Sequence, residues 1–214
     1  MTQRPAWQPA LELMLIVSAG TLILALARDV LAACIESRAW WVLPAGIGLG
    51  LAAADFASGV LHWFCDRFFA ADTPLVGRSL IAPFREHHDD PLGIVRHGLL
   101  ELHGNSSIPV IGLLLLARAL PLALPLQSAL LFFVSAALAT NQFHRWAHDP
   151  DAGRTARWMQ RHRLILSPQV HARHHSGDFD RSYCMTTGWL NSLLDRLDFF
   201  PRLERVIRGA GRRV

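Results

Sequence analysis

Residues 126–148 read LQSALLFFVSAALATNQFHRWAH, an apolar run that ends in two histidines four positions apart. A helix that crosses a bilayer needs about 20 mostly apolar residues, and the apolar part, 126–143, is close to that length. Residues four apart share one face of a helix, so His144 and His148 can bind the same metal ion. The stretch therefore predicts a membrane helix whose end carries metal ligands.

Three further apolar runs precede this one, at 11–27, 39–61 and 108–122, and 51% of the 214 residues are apolar. Each run is near the length of a membrane-spanning helix. The alternative is a soluble chain with four unusually apolar core helices. We predict an all-α, polytopic membrane protein with about four transmembrane helices and a cytoplasmic, histidine-rich helical cap.

The arginines give this topology an orientation. Four spans place the amino terminus, the 64–105 loop and everything after Phe143 on one side, which then holds 18 of the 21 basic residues, all of them arginine. Cytoplasmic loops of membrane proteins are enriched in basic residues, so we expect both termini and the histidines to be cytoplasmic. The arginines flank apolar runs and do not alternate with a stacking surface, so no nucleic-acid partner is expected.

All 11 histidines lie on this same side of the predicted membrane. One ends the second apolar run, four fall in the 64–105 loop, and the others follow the fourth run. They are His62, His87, His88, His97, His103, His144, His148, His162, His171, His174 and His175. The last three have helical ligand spacing, i, i+3 and i+4. The topology therefore predicts a histidine-rich site for more than one metal ion at the membrane–cytosol interface.

Two carboxylates share a helical stripe with His62, namely Asp55 and Asp66. A carboxylate within a membrane span costs about 2.5–3.5 kcal/mol, so Asp55 should face the interior of the helix bundle and have a partner there. Metal-bound histidines usually donate their second ring N–H to a carboxylate or a carbonyl. We therefore expect Asp55 or Asp66 to orient a ligand; a plain interfacial charge beside Arg67 is the alternative for Asp66.

The number of histidines bears on the chemistry. A zinc hydrolase normally uses three protein ligands and a water, and imidazole also suits copper, iron and nickel. Eleven histidines are too many for one such site, so two metal ions are the simpler account. An embedded lipid chain is the natural substrate, and attack on its C–H bonds requires a redox metal with dioxygen, iron being the leading candidate. A zinc-dependent membrane hydrolase and a metal-ion transporter remain alternatives, although a transporter favours ligands near the bilayer midplane.

Six strings carry a resemblance to a known family: SGVLHWFCD, PFREHHDDP, RHG, NQFHRWAH, HARHH and YCMTTGWLN. In this order, over about residues 52–208, they resemble the plasmanylethanolamine desaturase family of lipid desaturases. The resemblance implies a lipid desaturase domain at 39–208, preceded by a tail and first transmembrane helix at 1–38 and followed by a tail at 209–214.

The family resemblance also implies an activity. By this resemblance, the protein would be an oxygen-dependent oxidoreductase with two iron ions and dioxygen as co-substrate. The reaction removes two hydrogens from carbons 1 and 2 of the sn-1 alkyl chain of an ether phospholipid, which gives the vinyl ether of a plasmalogen. The implied partners are the membrane phospholipid and a small haem or iron–sulfur electron carrier with its reductase, in a bacterial inner membrane. An acyl-chain desaturase or hydroxylase acting near the carboxyl end is the alternative.

Carried over position by position, the resemblance assigns catalytic roles to eight histidines, and to His97 a role as a further metal ligand. The eight are His62, His87, His88, His144, His148, His171, His174 and His175. Asp55, Asp66, His103, His162 and Asn141 are expected to support ligands or to act as extra ligands. The chain departs from the family pattern at Arg96-His97-Gly98 and at Glu101–Ser106, where family acids are missing. This leaves His103 as a candidate substitute ligand.

Overall fold

The computed structural model describes residues 5–210, which form ten α-helices and one short π-helix and contain no strand. The helices are α1 (Gln8–Ser37), α2 (Val42–Arg67), the π-helix (Gly77–Ile81), α3 (Ala82–Asp89), α4 (Gly93–Arg96), α5 (Leu99–Arg118), α6 (Leu124–His148), α7 (Arg154–Arg161), α8 (Pro168–His174), α9 (Asn191–Arg196) and α10 (Phe199–Ala210). The all-α prediction is confirmed. Of the expected tail at 209–214, the last four residues lie outside the described part of the chain, as do the first four residues.

Four helices, α1, α2, α5 and α6, are long and apolar enough to cross a membrane, as predicted. Helix α1 also exposes large apolar side chains, among them Leu13, Met14, Val17 and Leu24, the last with 72% of its surface accessible. Apolar surface of this extent is unfavourable in water but is suited to contact with lipid tails. The chain is an integral membrane protein.

The third span differs in its bounds from the prediction at 108–122. Helix α5 begins at Leu99 and ends at Arg118, so it includes polar residues that the sequence placed in a loop. The hydroxyl groups of Ser106 and Ser107 both donate to the carbonyl of His103, at 3.1 and 2.8 Å. Serines that bond back to the preceding turn satisfy their hydroxyl groups inside the helix, which lets the helix continue through them.

The described chain divides into two compact units. The first comprises the residues up to Ala54 together with His97–Gln142, and the second comprises Asp55–Arg96 together with the residues from Phe143 onward. In the first unit, the early part of α2 packs closely against α6. A Cβ atom added at Gly50 would lie 2.5 Å from the carbonyl oxygen of Ala129 and 2.7 Å from the Cβ of Phe132. The absence of a side chain at Gly50 therefore sets the distance between these two helices.

This close contact predicts opposite effects for two neighbouring glycines. Gly50→Ala should destabilise the protein by about 1–3 kcal/mol, because the new methyl group overlaps α6. Gly48→Ala should stabilise it by up to about 1 kcal/mol, because alanine favours helix and nothing lies within 4 Å of that position. Thermal unfolding of the two variants in detergent tests this. Shifts of the same sign would contradict the proposed packing.

The second unit combines the ends of α2 and α6 with the short helices. Its apolar core is formed by Trp63, Tyr183, Cys184, Leu194 and Phe200. Helix α7 has eight residues and ends at Arg161. Helices α9 and α10 follow each other closely but are separate. Asp198, between them, has a positive φ of 47°, which is incompatible with a continuous helix.

Candidate metal centre

Eight of the predicted histidines come together in the second unit, from four different helices. The end of α2 supplies His62, α3 supplies two, the end of α6 supplies two, and α8 with the residue after it supplies three. Helix α8 is fixed at its start by Ser167, whose hydroxyl oxygen accepts the Val170 N–H at 3.3 Å. The side chains of His62 and His174 are completely buried.

The histidines form two groups of potential ligands within the described residues. In each group, one ligand atom per residue lies within 4.8 Å of every other. The first group is His62, His87, His88 and His174; the second is His87, His144, His148 and His171. His87 thus belongs to both. The Nε2 atom of His175 lies 3.1 Å from that of His171 and extends the second group.

The second group contains a triangle of ring nitrogens. The Nε2 atoms of His144, His148 and His171 are separated by 2.9, 3.1 and 2.7 Å. A neutral imidazole nitrogen either carries a hydrogen or presents a lone pair, so three such atoms cannot satisfy one another by hydrogen bonds. At least two of the three nitrogens must therefore be of the same kind, either both N–H donors or both lone pairs, and their contact is not a hydrogen bond. A cation shared by three lone pairs removes this conflict, and imidazole is a ligand of iron and other transition metals.

Backbone carbonyls fix which ring nitrogen faces inward. Nδ1 of His174 donates to the carbonyl of Arg181 at 2.8 Å, and Nδ1 of His87 donates to the carbonyl of Phe84. A carbonyl can only accept, so in both rings the lone pair is on Nε2. The Nε2 atom of His87 is buried and has no hydrogen-bond partner among the described residues. This is the arrangement by which proteins orient metal-binding histidines.

Four histidines outside the apolar helices are in the neutral state that metal binding requires. Burial lowers the pKa of His88 to about 3 and that of His175 to about 4. Burial also lowers the pKa of His87 and His171 well below the usual range. Desolvation disfavours the charged imidazolium, so these rings are neutral at pH 7. Metal binding requires neutral imidazole, and the four rings therefore fit a bound metal without prior loss of a proton.

The two predicted carboxylates have different surroundings. Oδ2 of Asp66 lies 3.3 Å from Nε2 of His62 and 3.4 Å from Nε2 of both His88 and His174. Asp55 is fully buried, and its carboxylate accepts three backbone N–H groups, at 2.8, 2.8 and 3.0 Å. Asp55 therefore has the hydrogen-bond partner expected for a carboxylate within a membrane span, but that partner is the backbone and not a histidine.

The remaining candidate positions lie outside both ligand groups. Three of them belong to the first unit, where His97 pairs with Glu101 at 2.7 Å, His103 donates to the carbonyl of Leu138 at 3.0 Å, and Asn141 donates to the carbonyl of Leu102 at 2.8 Å. His162 is exposed and its ring lies against Trp158, with centroids 4.7 Å apart.

Arg85 is a residue of this centre that sequence reasoning did not single out. It lies on α3, just before the histidine pair. Its guanidinium donates to the carbonyls of Cys65 and Asp66, both at 3.2 Å, and of Phe69 at 2.5 Å. These carbonyls are at the carboxyl end of α2, where a cation is favoured and backbone acceptors lack helical partners. Arg85 thus connects the α2 ligands to the α3 ligands.

This connection predicts that Arg85→Gln weakens metal binding by about tenfold or more, because residues that position ligands typically contribute 10–100-fold. Arg85→Lys should recover only part of the loss, since lysine lacks the planar fork of donors. Titration of the metal-depleted protein with Co²⁺ against a competing chelator measures the effect. Arg96→Gln is the control, because Arg96 is 60% exposed and pairs with Asp90 at the surface. Equal affinities for the Arg85 and Arg96 variants would contradict the role of Arg85.

Known proteins resemble the chain over most of its length. A plasmanylethanolamine desaturase of Myxococcus xanthus is 38% identical over 79% of the chain, and plasmanylethanolamine desaturase 1 of Mus musculus is 35% identical over 77%. The chloroplastic fatty acid desaturase 4 of Arabidopsis thaliana is 31% identical over 89%. The chain spans 62%, 64% and 59% of the lengths of these relatives. No solved structure matches it significantly.

The lipid desaturase domain matches residues 51–213. This range contains all eight clustered histidines and Asp66, Arg85 and Asp55. The residues that form the candidate metal centre therefore all lie within the matched domain. The chain belongs to the lipid desaturase domain family.

Proposed function

We propose that the protein is a membrane oxidoreductase that desaturates a lipid, with two iron ions held by the two histidine groups. The substrate is an ether phospholipid, and the product carries a vinyl-ether double bond between carbons 1 and 2 of its sn-1 alkyl chain. The observation that carries this proposal is the convergence of eight histidines, seven of which form the two groups of mutually close ligand atoms while His175 lies beside the second group. The names of the Myxococcus and mouse relatives support the substrate class.

Iron, when bound, supplies the redox chemistry by which dioxygen oxidises the substrate. The overall reaction balances when two hydrogens leave the alkyl chain and a carrier supplies two electrons with two protons, so that dioxygen becomes two waters. A small haem or iron–sulfur protein with its reductase is the carrier that we propose. The protein itself contributes the neutral, oriented histidines; a zinc hydrolase would need no electron supply and fewer ligands.

The place of the histidines along the chain supports a substrate that reacts close to its headgroup. His62, His144 and His148 are in the last two turns of apolar helices α2 and α6, which extend to Arg67 and His148. Ligands at the ends of membrane helices suit carbons adjacent to the polar headgroup, whereas mid-chain carbons would require a deep cavity. From the distribution of arginines we infer that these ends face the cytoplasm, in a bacterial inner membrane.

A second candidate function is the desaturation of an acyl chain near its carboxyl end. The Arabidopsis relatives that are named fatty acid desaturases favour it, since they are 31–32% identical over most of this chain. The carbons next to an ester carbonyl lie at the same depth as those next to an ether oxygen, so the position of the ligands is compatible with both. The hydrolase and transporter alternatives have no comparable support.

Lipid mass spectrometry separates these functions. The protein is expressed in a host without plasmalogens that is fed an alkyl-ether phospholipid precursor, beside a His174→Ala variant. Loss of two hydrogens from the ether lipid, with an acid-labile product that the variant does not form, is the expected result. Loss of two hydrogens from an acyl lipid alone would transfer the assignment to acyl desaturation. Gain of one oxygen would indicate a hydroxylase, and no change in iron-loaded, reduced protein would refute desaturation.

A further inference from the structure

We propose that Asp66 is itself a metal ligand, so that the two metal positions are chemically different. One position is held by His62, His88, His174 and Asp66, and the other by His87, His144, His148 and His171. This inference rests on the proposed two-metal centre and specifies it, because it assigns a carboxylate to a site that would otherwise contain imidazole alone. It also assigns His87 to one of the two groups that it can join.

The distances around Asp66 are those between ligands of one ion. Metal–nitrogen and metal–oxygen bonds of about 2.0–2.1 Å place neighbouring ligand atoms of a tetrahedron about 3.3–3.4 Å apart. Oδ2 of Asp66 is 3.3, 3.4 and 3.4 Å from the three Nε2 atoms, and those of His88 and His174 are 3.1 Å apart. Four of the six edges of the tetrahedron thus have, or nearly have, the expected length.

The direction of approach distinguishes a ligand from a residue that only orients ligands. An orienting carboxylate accepts the N–H of a histidine on the side away from the metal. In His174 that side is occupied, because Nδ1 donates to the carbonyl of Arg181 at 2.8 Å. Asp66 instead faces Nε2, the atom that holds the lone pair. Asp66 therefore lies on the metal side of the ring, together with the lone pairs.

The burial of Asp66 supports the same assignment. Its side chain is 4% exposed, and neither carboxylate oxygen has a hydrogen-bond partner of adequate geometry among the described residues. A buried carboxylate without compensation is strongly unfavourable. The guanidinium of Arg85 is nearby but is directed to backbone carbonyls of α2, including that of Asp66 itself. A cation bound between Asp66 and the three rings compensates the charge.

The assignment of Asp66 also determines the position of His87. Nδ1 of His87 is bonded to the carbonyl of Phe84, so the ring has a single lone pair, on Nε2, and can bind one ion. With Asp66, the first metal position already has four ligands and does not need His87. His87 is then the fourth ligand of the second position, beside the triangle formed by His144, His148 and His171.

Metal counting tests the inference without any measurement of activity. Protein purified in detergent after growth with iron is analysed for iron and other metals per chain, and the metal-depleted protein is reloaded with Co²⁺ for absorption spectroscopy. We expect two ions per chain in the wild type and in Asp151→Asn, whose side chain is exposed. Asp66→Asn should retain about one. Asp66→His should retain two and change the Co²⁺ spectrum, because nitrogen replaces oxygen.

The outcomes separate this inference from the proposed function. Two ions in Asp66→Asn, with an unchanged Co²⁺ spectrum, would refute Asp66 as a ligand and leave lipid desaturation untouched. An unchanged spectrum in Asp66→His would refute it as well, even if Asp66→Asn failed to fold. Failure of the wild type to hold two ions would refute both the inference and the two-metal centre. Two ions with the predicted losses, but no lipid product, would overturn the proposed substrate alone.

Discussion

Replacement of His171 by alanine is expected to lower lipid desaturation by at least about 100-fold and to reduce the metal content of the protein. Residues that merely orient metal ligands contribute 10–100-fold, and a ligand contributes more. His171 is 2% exposed, and its Nε2 atom lies 2.9, 2.7 and 3.1 Å from those of His144, His148 and His175. Among the described residues, no other histidine of the second group has as many contacts of 3.1 Å or less between ring nitrogens.

His162→Ala is the matched control for this variant. His162 is equally a histidine of the family pattern, but it is exposed and contacts Trp158. We expect its loss to leave metal content and activity within about twofold of the wild type, as is usual for a surface substitution. Lipid product and metal per chain are measured for both variants at equal amounts of folded protein. A fully active, metal-replete His171→Ala would remove the second group from the proposed centre.

Histidine spacing carried most of what the sequence could predict about the site. The pair at 144 and 148 and the set at 171, 174 and 175 have helical spacing, and the structure places the pair on α6 and the set on α8 and the residue after it. The position of His62 and of the pair at 144 and 148 at the ends of apolar runs also indicated one site. Spacing could not separate His162 from its neighbours, because its exposure depends on where α7 ends. Nor could it predict the partition of ligands, because His87 falls within reach of both groups.

The contacts that support the ligands could not be predicted from local patterns. The guanidinium of Arg85 donates to the carbonyls of Cys65 and Phe69, which are distant in sequence. No sequence motif in the chain predicts these hydrogen bonds. The only signal was general, since a helix end needs donors for its last carbonyls. The four apolar helices were predicted because length and hydropathy decide them. The start of α5 was missed because its serines are satisfied within the helix itself.

Asp55→Ala is expected to cost about 3–9 kcal/mol of folding free energy, because three backbone N–H groups lose their buried acceptor and each unsatisfied group costs about 1–3 kcal/mol. Oδ1 of Asp55 accepts from Thr187 and Gly188, and Oδ2 accepts from Leu190. The typical stability of a domain is about 5–15 kcal/mol, so this loss removes a large share of it. Asp55→Asn should lie between wild type and alanine, since one oxygen remains for two of the donors.

Thermal unfolding in detergent ranks these variants, with Asp151→Ala as a surface control.

The loss of Asp55 should also affect the metal centre, because the backbone segment that Asp55 binds is connected to the carbonyl that orients His174. Asn191 binds both the N–H and the carbonyl of Cys184, which closes this segment into a loop. The carbonyl that orients His174 belongs to Arg181, just before that loop. Release of the loop in Asp55→Asn should therefore weaken metal binding as well as stability, whereas a purely local role would leave the metal content of the folded fraction unchanged.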